Sequence, residues 1–386
     1  MRRLTVPRRP DWEAKAKAYG FHFTHMYGQL YWDESACFAF TLDEIERDIE
    51  DPSTELHAMC LELADEASRD EGILDQLGIP EAFRDYVAES WRRRDPTIFG
   101  RFDLAYRGEG PAKLLEYNAD TPTSLYETAF FQWLWMQDAK DLGIISPDCD
   151  QFNSIQERLI AAYDRLPKRS ILHFAGYGGD VEDTGTLSYM MDCASQGGHA
   201  VKFIDITQIG CDAADRFTDT DDLVIDVLSN LYPWEWFFED EFGPKIPSSG
   251  TRMIEPAWKA MLSTKAILPL LWGRHRGHPN LLEAYFEDDP RSSSLMNYVR
   301  KPLFSREGSN ITLHRSGIDL MASDGPYGEG GWIRQSATDL FQSPEGGYAV
   351  IGSWIVDDTA CGIGIREDSS PITMNLSRFV PHIIAD

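Results

Sequence analysis

The chain has no Cys-x-x-Cys pair, no His-Glu-x-x-His, no Gly-x-Ser-x-Gly, and no apolar run approaching the roughly 18 residues of a membrane span. Its six cysteines (Cys37, Cys60, Cys149, Cys193, Cys211, Cys361) are scattered, which excludes a zinc ribbon or a dense disulfide framework and predicts reduced thiols. Zinc-protease and serine-hydrolase chemistry lack their motifs. Positive charge is also scarce: 36 Lys and Arg stand against 63 Asp and Glu, a formal net charge of -27. Such a surface excludes nucleic acid as a main partner and is compatible with a cationic small substrate. The basic opening MRRLTVPRRPDW is followed by no apolar segment, so we expect a cytoplasmic protein without a membrane partner. What is present is a globular composition. The 386 residues, 42% hydrophobic and 12% aromatic, suffice for a large core in two or three layers or domains.

The most informative stretch is Leu114 to Glu127, LLEYNADTPTSLYE. Glu116, Asn118 and Asp120 alternate, and hydroxyls follow at Thr121, Thr123 and Ser124. In a strand, residues i and i+2 share a face, so Glu116 and Asn118 offer side by side the hard oxygens that magnesium prefers. Thr97 to Tyr106 is a second strand, and the turn residues of Arg107 to Pro111 join the two as a hairpin. With the turn centred between Glu109 and Gly110, Asp103 falls opposite Glu116 and Arg101 opposite Asn118. Polar residues on one hairpin face are ordinarily solvated. Here the exit argues for a site, because Asp120-Thr121-Pro122 supplies a cap and a first-turn proline. A helix is predicted from Pro122 to Lys140, with Leu125, Phe130, Trp133, Leu134 and Met136 facing inward. Its N-terminus would bring free N–H groups and a positive dipole end to the acidic face, which suits an anion held with magnesium.

Elsewhere, Asp11 to Arg94 reads as mainly helical scaffold, with a capping box at Thr41 and Glu44 and an interruption at Pro52. Trp12, Tyr27, Tyr31 and Trp32 read as packing aromatics. A helix (Gln151 to Arg165) precedes a β-α-β unit made of Ser170 to Ala175, Glu182 to Ser195 and Ala200 to Asp205. Gly176-x-Gly178 with Asp205 is a partial dinucleotide fingerprint, weakened by Val181 at the third glycine position. Further strands are expected at Asp222 to Leu228 and Arg252 to Glu255. Lys265, at the start of the apolar helix in STKAILPLLW, reads as a snorkelling surface residue. Asn297 to Leu313 reads as strand, loop and strand. Lys301 ends the first strand, and the loop Ser305-Arg306-Glu307-Gly308-Ser309 can close its N–H groups and hydroxyls over phosphates. Trp332 to Gln335, Gly347 to Ile355 and Ala360 to Ile365 are strands, the last leading into Arg366-Glu367-Asp368.

Taken in order, RFD at Arg101 to Asp103, LLEYNADTPTS, EPAWK, STKAILPLLW, VRKPLFSREGSNI and GIGIRED resemble the synthetase domain of glutathionylspermidine synthase and its related bacterial acid-amine ligases. The resemblance runs over nearly the whole chain. It implies an α/β (α+β) ATP-grasp-type synthetase fold, nucleotide between two α+β layers, without the amidase segment of the bifunctional members. The implied layout is a helical scaffold with the metal and substrate hairpin (1–165), a β-α-β domain (166–256), a lid domain (257–345) and C-terminal strands completing the ATP site (346–386). The implied cofactors are ATP and magnesium, as two ions. Matched positions imply Asp103, Glu116 and Asn118 as metal ligands, and Lys265, Lys301 and Gln335 as ATP-binding residues, to which the loop reading adds Ser305 and Gly308. They imply Arg101 and Arg366 near the transferred phosphate, and Thr121 and Thr123 at the substrate. The lysine expected shortly after GIRED is absent, with Ile372, Thr373 and Met374 there instead. The implied activity is amide formation between an acid or peptide and an amine, glutathione and spermidine being the candidates by resemblance. Two alternatives stand beside it: a regulatory protein that binds ATP without turnover, motivated by the missing lysine, and a dinucleotide oxidoreductase.

Overall fold

The first 40 residues are only partly helical, although Asp11 to Arg94 reads as mainly helical. In the computed structural model, which describes residues 1–168 and 170–385, they form strand β1 (Arg2–Thr5), a short helix α1 (Trp12–Ala18) and strand β2 (Ala36–Phe40). Aromatic and β-branched residues favour extended chain that packs on both faces, and here Phe21, Phe23, Tyr31, Trp32, Phe38 and Phe40 are all buried. Tyr27 is exposed. The capping box forms as expected: the Thr41 hydroxyl accepts from the Glu44 N–H at 3.2 Å and Glu44 accepts from the Thr41 N–H at 2.9 Å. Pro52 does not interrupt the helix. It stands in the first turn of α2 (Asp51–Ala67), directly after a π-helical turn, Glu46–Glu50, that widens the backbone where proline donates no N–H.

After α3 (Arg84–Arg92) comes the hairpin of β3 (Phe99–Ala105) and β4 (Lys113–Asn118). The expected register holds, with Asp103 opposite Glu116 and Arg101 opposite Asn118; a bulge after Asp103 shifts only the pairs nearer the turn. The following helix starts at Leu125 rather than Pro122, because Ser124 is left-handed (φ 67) and Asp120 caps nothing there. Instead Asp120 accepts from the N–H groups of Thr121 and Trp234 at 2.8 and 3.1 Å. A π-helical turn, Glu127–Phe131, leads into α4 (Gln132–Asp141), on which Trp133 is exposed instead of packed inward.

Helix α5 (Ile155–Asp164) precedes the β-α-β unit: β5 (Leu172–Gly176), α6 (Val181–Gln196) and β6 (Val201–Asp205). With β7 (Val227–Asn230) and β8 (Arg252–Ile254) they give a parallel sheet in the order β8-β7-β5-β6. Lys265 lies in the turn before α7 (Ile267–Arg274), not within it. An antiparallel sheet follows, made of β9 (Ala284–Phe286), β10 (Tyr298–Pro302), β11 (Thr312–Arg315), β12 (Ile318–Ala322) and β13 (Trp332–Ser336) in the order β9-β13-β10-β11-β12.

The C-terminal strands return to the hairpin. β14 (Tyr348–Val356) pairs with β3, and β15 (Thr359–Asp368) and β16 (Arg378–Val380) extend that sheet to β16-β15-β14-β3-β4. β17 (His382–Ile384) joins β2 in parallel. All six cysteines are free, and Cys211 alone is not buried. Among the described residues no helix is long and apolar enough to cross a membrane.

Candidate functional site

The two faces of the hairpin differ. On one, Phe102 and Tyr117 stack with ring centroids 4.0 Å apart and are buried in the core. The other presents Arg101, Asp103, Glu116 and Asn118. The Arg101 guanidinium grips Asp103 with two hydrogen bonds of 2.7 and 3.1 Å and donates a third, of 2.6 Å, to the Thr123 carbonyl. Room for it comes from Gly352 on β14, where a Cβ would lie 2.7 Å from the Arg101 Cδ. Asn118 Nδ2 donates to Asp103 at 3.3 Å.

Lys265 is buried and forms an ion pair of 3.0 Å with Glu116, its Nζ also donating to the Ser305 carbonyl at 2.9 Å. It does not snorkel, because the turn before α7 sits under the antiparallel sheet. Lys301, also buried, donates to the Leu115 carbonyl at 2.8 Å and to Gln335 Oε1 at 2.9 Å, and Gln335 Nε2 donates to the Leu114 carbonyl at 2.9 Å. β10 and β13 are thereby tied across to β4. Burial lowers the Lys301 ammonium to about 8. Burial alone would raise the Glu116 carboxyl, but Lys265 and Lys301 outweigh it and hold it at about 2. Asp103 goes the other way: burial raises it, Arg101 opposes, and the neighbouring Glu116 adds to the rise.

Two cavities meet here. The larger, about 750 Å³, lies between the antiparallel sheet and the hairpin; Leu115, Val299, Leu313, Leu340 and Phe341 give it apolar walls, and Lys301 and Gln335 line it. The smaller, about 130 Å³, is polar and is lined by Arg101, Thr121, Thr123, Ser305, Arg306 and Arg366. Asp103, Glu116, Lys265 and Gly308 line both. Every site residue expected from the sequence lines one or both of these adjoining cavities: Arg101, Asn118, Thr121, Thr123, Ser305 and Arg366 only the polar one, and Lys301 and Gln335 only the apolar one.

The polar cavity has details that the sequence left unassigned. Arg306 donates to the Thr121 hydroxyl at 2.5 Å, approaches Glu235 at 3.6 Å and lies over the Trp236 ring. Glu235 and Asp183 are each raised to about 7 by burial and by neighbouring acids, Asp120 for the first and Asp180 for the second. Burial also raises Glu182. Arg366 is fixed by the carbonyls of Ser377 (2.9 Å) and Asn375 (2.7 Å) and the hydroxyl of Ser124 (3.2 Å). The Ser305 hydroxyl, in the wall of this cavity, is buried without a hydrogen-bond partner among the described residues, an orphan donor. The only advance signal for Arg306 was its place in the polar loop, and the acids on α6 carried none.

Among the described residues no group of three His, Cys, Asp or Glu side chains is arranged to hold a metal. The trio Asp103, Glu116 and Asn118 is instead two carboxylates and an amide, all hard oxygen donors. The two carboxylates are partly buried, and the charge on Glu116 disfavours that on Asp103, a repulsion that a divalent cation relieves, so these residues fit magnesium. The glycine turn of the β-α-β unit is occupied by its own chain: Asp205 accepts from Gly178 N–H (3.1 Å) and Thr207 N–H (2.9 Å), and Asp180 caps α6. Both carboxylate oxygens of Asp205, the acid that the dinucleotide reading offered to a ribose, are thus engaged by its own chain.

Residues 3–385 match the model of the family described as glutathionylspermidine synthase preATP-grasp. The chain is 38% identical to a Haemophilus influenzae protein named "Putative acid-amine ligase", over 99% of both chains. It is 29% identical to the trypanothione synthetase of Crithidia fasciculata, covering 83% of this chain and 52% of that protein. It is 25% identical to the bifunctional glutathionylspermidine synthetase/amidase of Escherichia coli, covering 89% and 59%. The chain thus spans little more than half the length of those last two relatives. In fold it resembles a glutathione synthetase-like effector from Globodera pallida, with a TM-score of 0.61, 12% identity and 98% of each chain covered. A match across almost the entire chain, with a full-length relative above the threshold of chance, leads to one conclusion: this protein belongs to the glutathionylspermidine synthase preATP-grasp family.

Proposed function

We propose that the chain is an ATP- and magnesium-dependent acid-amine ligase of ATP-grasp type that forms an amide through an acyl phosphate. The observation that carries this reading is the shared wall of the two cavities. An apolar chamber suited to a nucleotide base and a polar chamber suited to an acid touch where Asp103, Glu116, Lys265 and Gly308 lie. Phosphoryl transfer requires donor and acceptor to meet at such a point.

In this reading ATP lies with its base among Leu115, Val299 and Phe341, its phosphates toward Lys265, Lys301 and the Ser305 to Gly308 loop. A substrate carboxylate in the polar chamber attacks the terminal phosphorus. The phosphoryl group passes to the acid, ADP leaves, and Arg101 and Arg366 stabilise the charge on the transferring oxygens. Asp103, Glu116 and Asn118 would hold magnesium, which supplies charge neutralisation on phosphoryl oxygens when bound. A neutral amine then attacks the acyl carbon and phosphate departs, so acid, amine and ATP give amide, ADP, phosphate and a proton. Glu235 and Glu307, which line the polar chamber, and Glu182 and Asp183, which act on its Arg366 and Arg306, support a polyamine-like amine, and the name of the Escherichia coli relative supports a glutathione-like peptide as the acid.

The test is magnesium-dependent ADP release across a matrix of acids, short peptides and amines, with product masses read in parallel. A product lighter by one water than the sum of its partners is expected. Glu116→Ala should abolish that turnover in a folded chain, and near-normal turnover would sink the metal assignment. Tight ATP binding with no pair-dependent ADP release would favour a regulatory protein.

A further inference from the structure

Arg366 rests on a buried pair that the proposed mechanism does not use. Its guanidinium carbon lies 5.1 Å from the centre of the Tyr31 ring, and its Nη1 donates to the Ser124 hydroxyl. The Tyr31 hydroxyl lies 3.1 Å from that same Ser124 oxygen and donates to Glu127 Oε1 at 2.5 Å. Tyr31, Ser124 and Glu127 are 1%, 3% and 0% exposed. The Tyr31 ring is itself walled by Phe21 and Phe23. Thus one tyrosine touches Arg366 from below with its ring and from the side through Ser124.

Two irregularities of the backbone hold this arrangement. Ser124 is a left-handed non-glycine residue, and Glu127 opens the π-helical turn. Both are local costs of the kind found at functional positions. A third cost is polar: Glu127 Oε2 is buried with no hydrogen-bond partner among the described residues. Tyr126 beside it, Tyr31, Glu182 on α6 and Arg366 on β15 are the ionisable groups that act on Glu127 or respond to it. A solvent-free carboxylate with an unsatisfied oxygen is a poor way to stabilise a core. It is a good way to orient a tyrosine hydroxyl.

We propose that Tyr31 and Glu127 are positioning residues that set the Ser124 hydroxyl and the Arg366 guanidinium at the wall of the polar chamber. Glu127 fixes the tyrosine hydroxyl, the hydroxyl fixes Ser124, and ring and serine together aim the arginine. The reach is toward the transferred phosphate, so the kinetic part of the proposal rests on the ligase reading above. Burial and the adjacent Glu182 raise the Glu127 carboxyl to about 7, so its ionisation would modulate the pair near neutrality.

The experiment uses the full chain. Tyr31→Phe keeps the ring beneath Arg366 and removes both hydroxyl contacts. We expect kcat for pair-dependent ADP release to fall about tenfold with KM for ATP unchanged, the size of one lost hydrogen bond made to the transition-state machinery. Glu127→Gln, which is isosteric, should remove an ionisation near neutral pH from the kcat profile. A purely structural pair would lower the melting temperature yet leave kcat and its pH profile as in wild type, and that result overturns the proposal. Should the wild-type chain release ADP with no acid and amine, the ligase reading fails by itself. The pair is still decided by calorimetric titration of inorganic phosphate, where Tyr31→Phe should bind about fivefold more weakly than wild type if it loses a single aiming contact. Equal affinities, or binding by neither, would overturn it.

Discussion

Replacing Lys259 by methionine should loosen the hairpin from behind. Lys259 and Glu255 are 1% and 2% exposed, on the segment that leaves β8. The Lys259 Nζ donates to the Phe99 carbonyl at 3.1 Å and the Ala119 carbonyl at 3.0 Å, and lies 3.6 Å from Glu255. Glu255 in turn accepts from the N–H groups of Ile98 (2.8 Å) and Phe99 (3.0 Å) and from the Thr97 hydroxyl. The pair therefore clasps the start of β3 and the chain just past β4, one residue from Asn118. Lys259→Met removes two charge-assisted hydrogen bonds and leaves a buried carboxylate without its counter-ion. Breaking one side of a buried pair costs about 3–5 kcal/mol. Burial already raises the Glu255 carboxyl, which eases its neutralisation and keeps the loss within that range instead of the sum of all contacts. Lys259→Met/Glu255→Gln restores neutrality and keeps an acceptor for Ile98 and Phe99, so it should be about 1–2 kcal/mol more stable than the single variant. Urea unfolding at pH 7, followed by circular dichroism and tryptophan fluorescence and extrapolated linearly, measures both. A single-variant loss below about 1 kcal/mol, or a double variant as weak as additivity predicts, would refute the clasp.

Glu127 also makes a statement about pH. Its folded carboxyl is raised to about 7, whereas unfolded glutamate titrates near ~4.3, so between those values the folded chain holds the extra proton and stability falls as pH rises. The slope from this group is at most about 1.4 kcal/mol per pH unit. Glu127→Gln should flatten the decline in melting temperature from pH 5 to pH 7, with Asp183 and Glu235, raised to about 7 as well, leaving a residual slope. An unchanged slope would count against a protonated Glu127. Gly308→Ala tests the loop that both cavities share: Gly308 has φ +69 and a methyl there would run into the Thr373 carbonyl. The loop must shift, costing about 1 kcal/mol or more. KM for ATP should rise in steady-state assays while folding, read by circular dichroism, survives; an unchanged KM would mean that the loop does not contact nucleotide.

Much of the hairpin was legible in advance because its causes are local. Strand alternation and a Gly-rich turn determine which residues face together, so the pairing of Asp103 with Glu116 and Arg101 with Asn118 follows from spacing alone. The β-α-β unit and the Thr41 capping box were readable for the same reason, as was the family, whose motifs occur in order along the chain. Other features depended on what packs against what. Lys265 at the head of an apolar helix has the pattern of a surface lysine, and only the antiparallel sheet above it makes it a buried partner of Glu116. The aromatic run around Tyr31 has helix-like spacing, yet β16 and β17 arrive from the far end of the chain and draw it into extended core. Ser124, Glu127 and Arg366 come from two segments whose proximity no periodicity encodes. Local sequence decides which face a residue takes along its own strand or helix. Which other element covers that face, and so whether a charge is solvated or paired, is decided by long-range packing of the apolar surface that the local pattern creates.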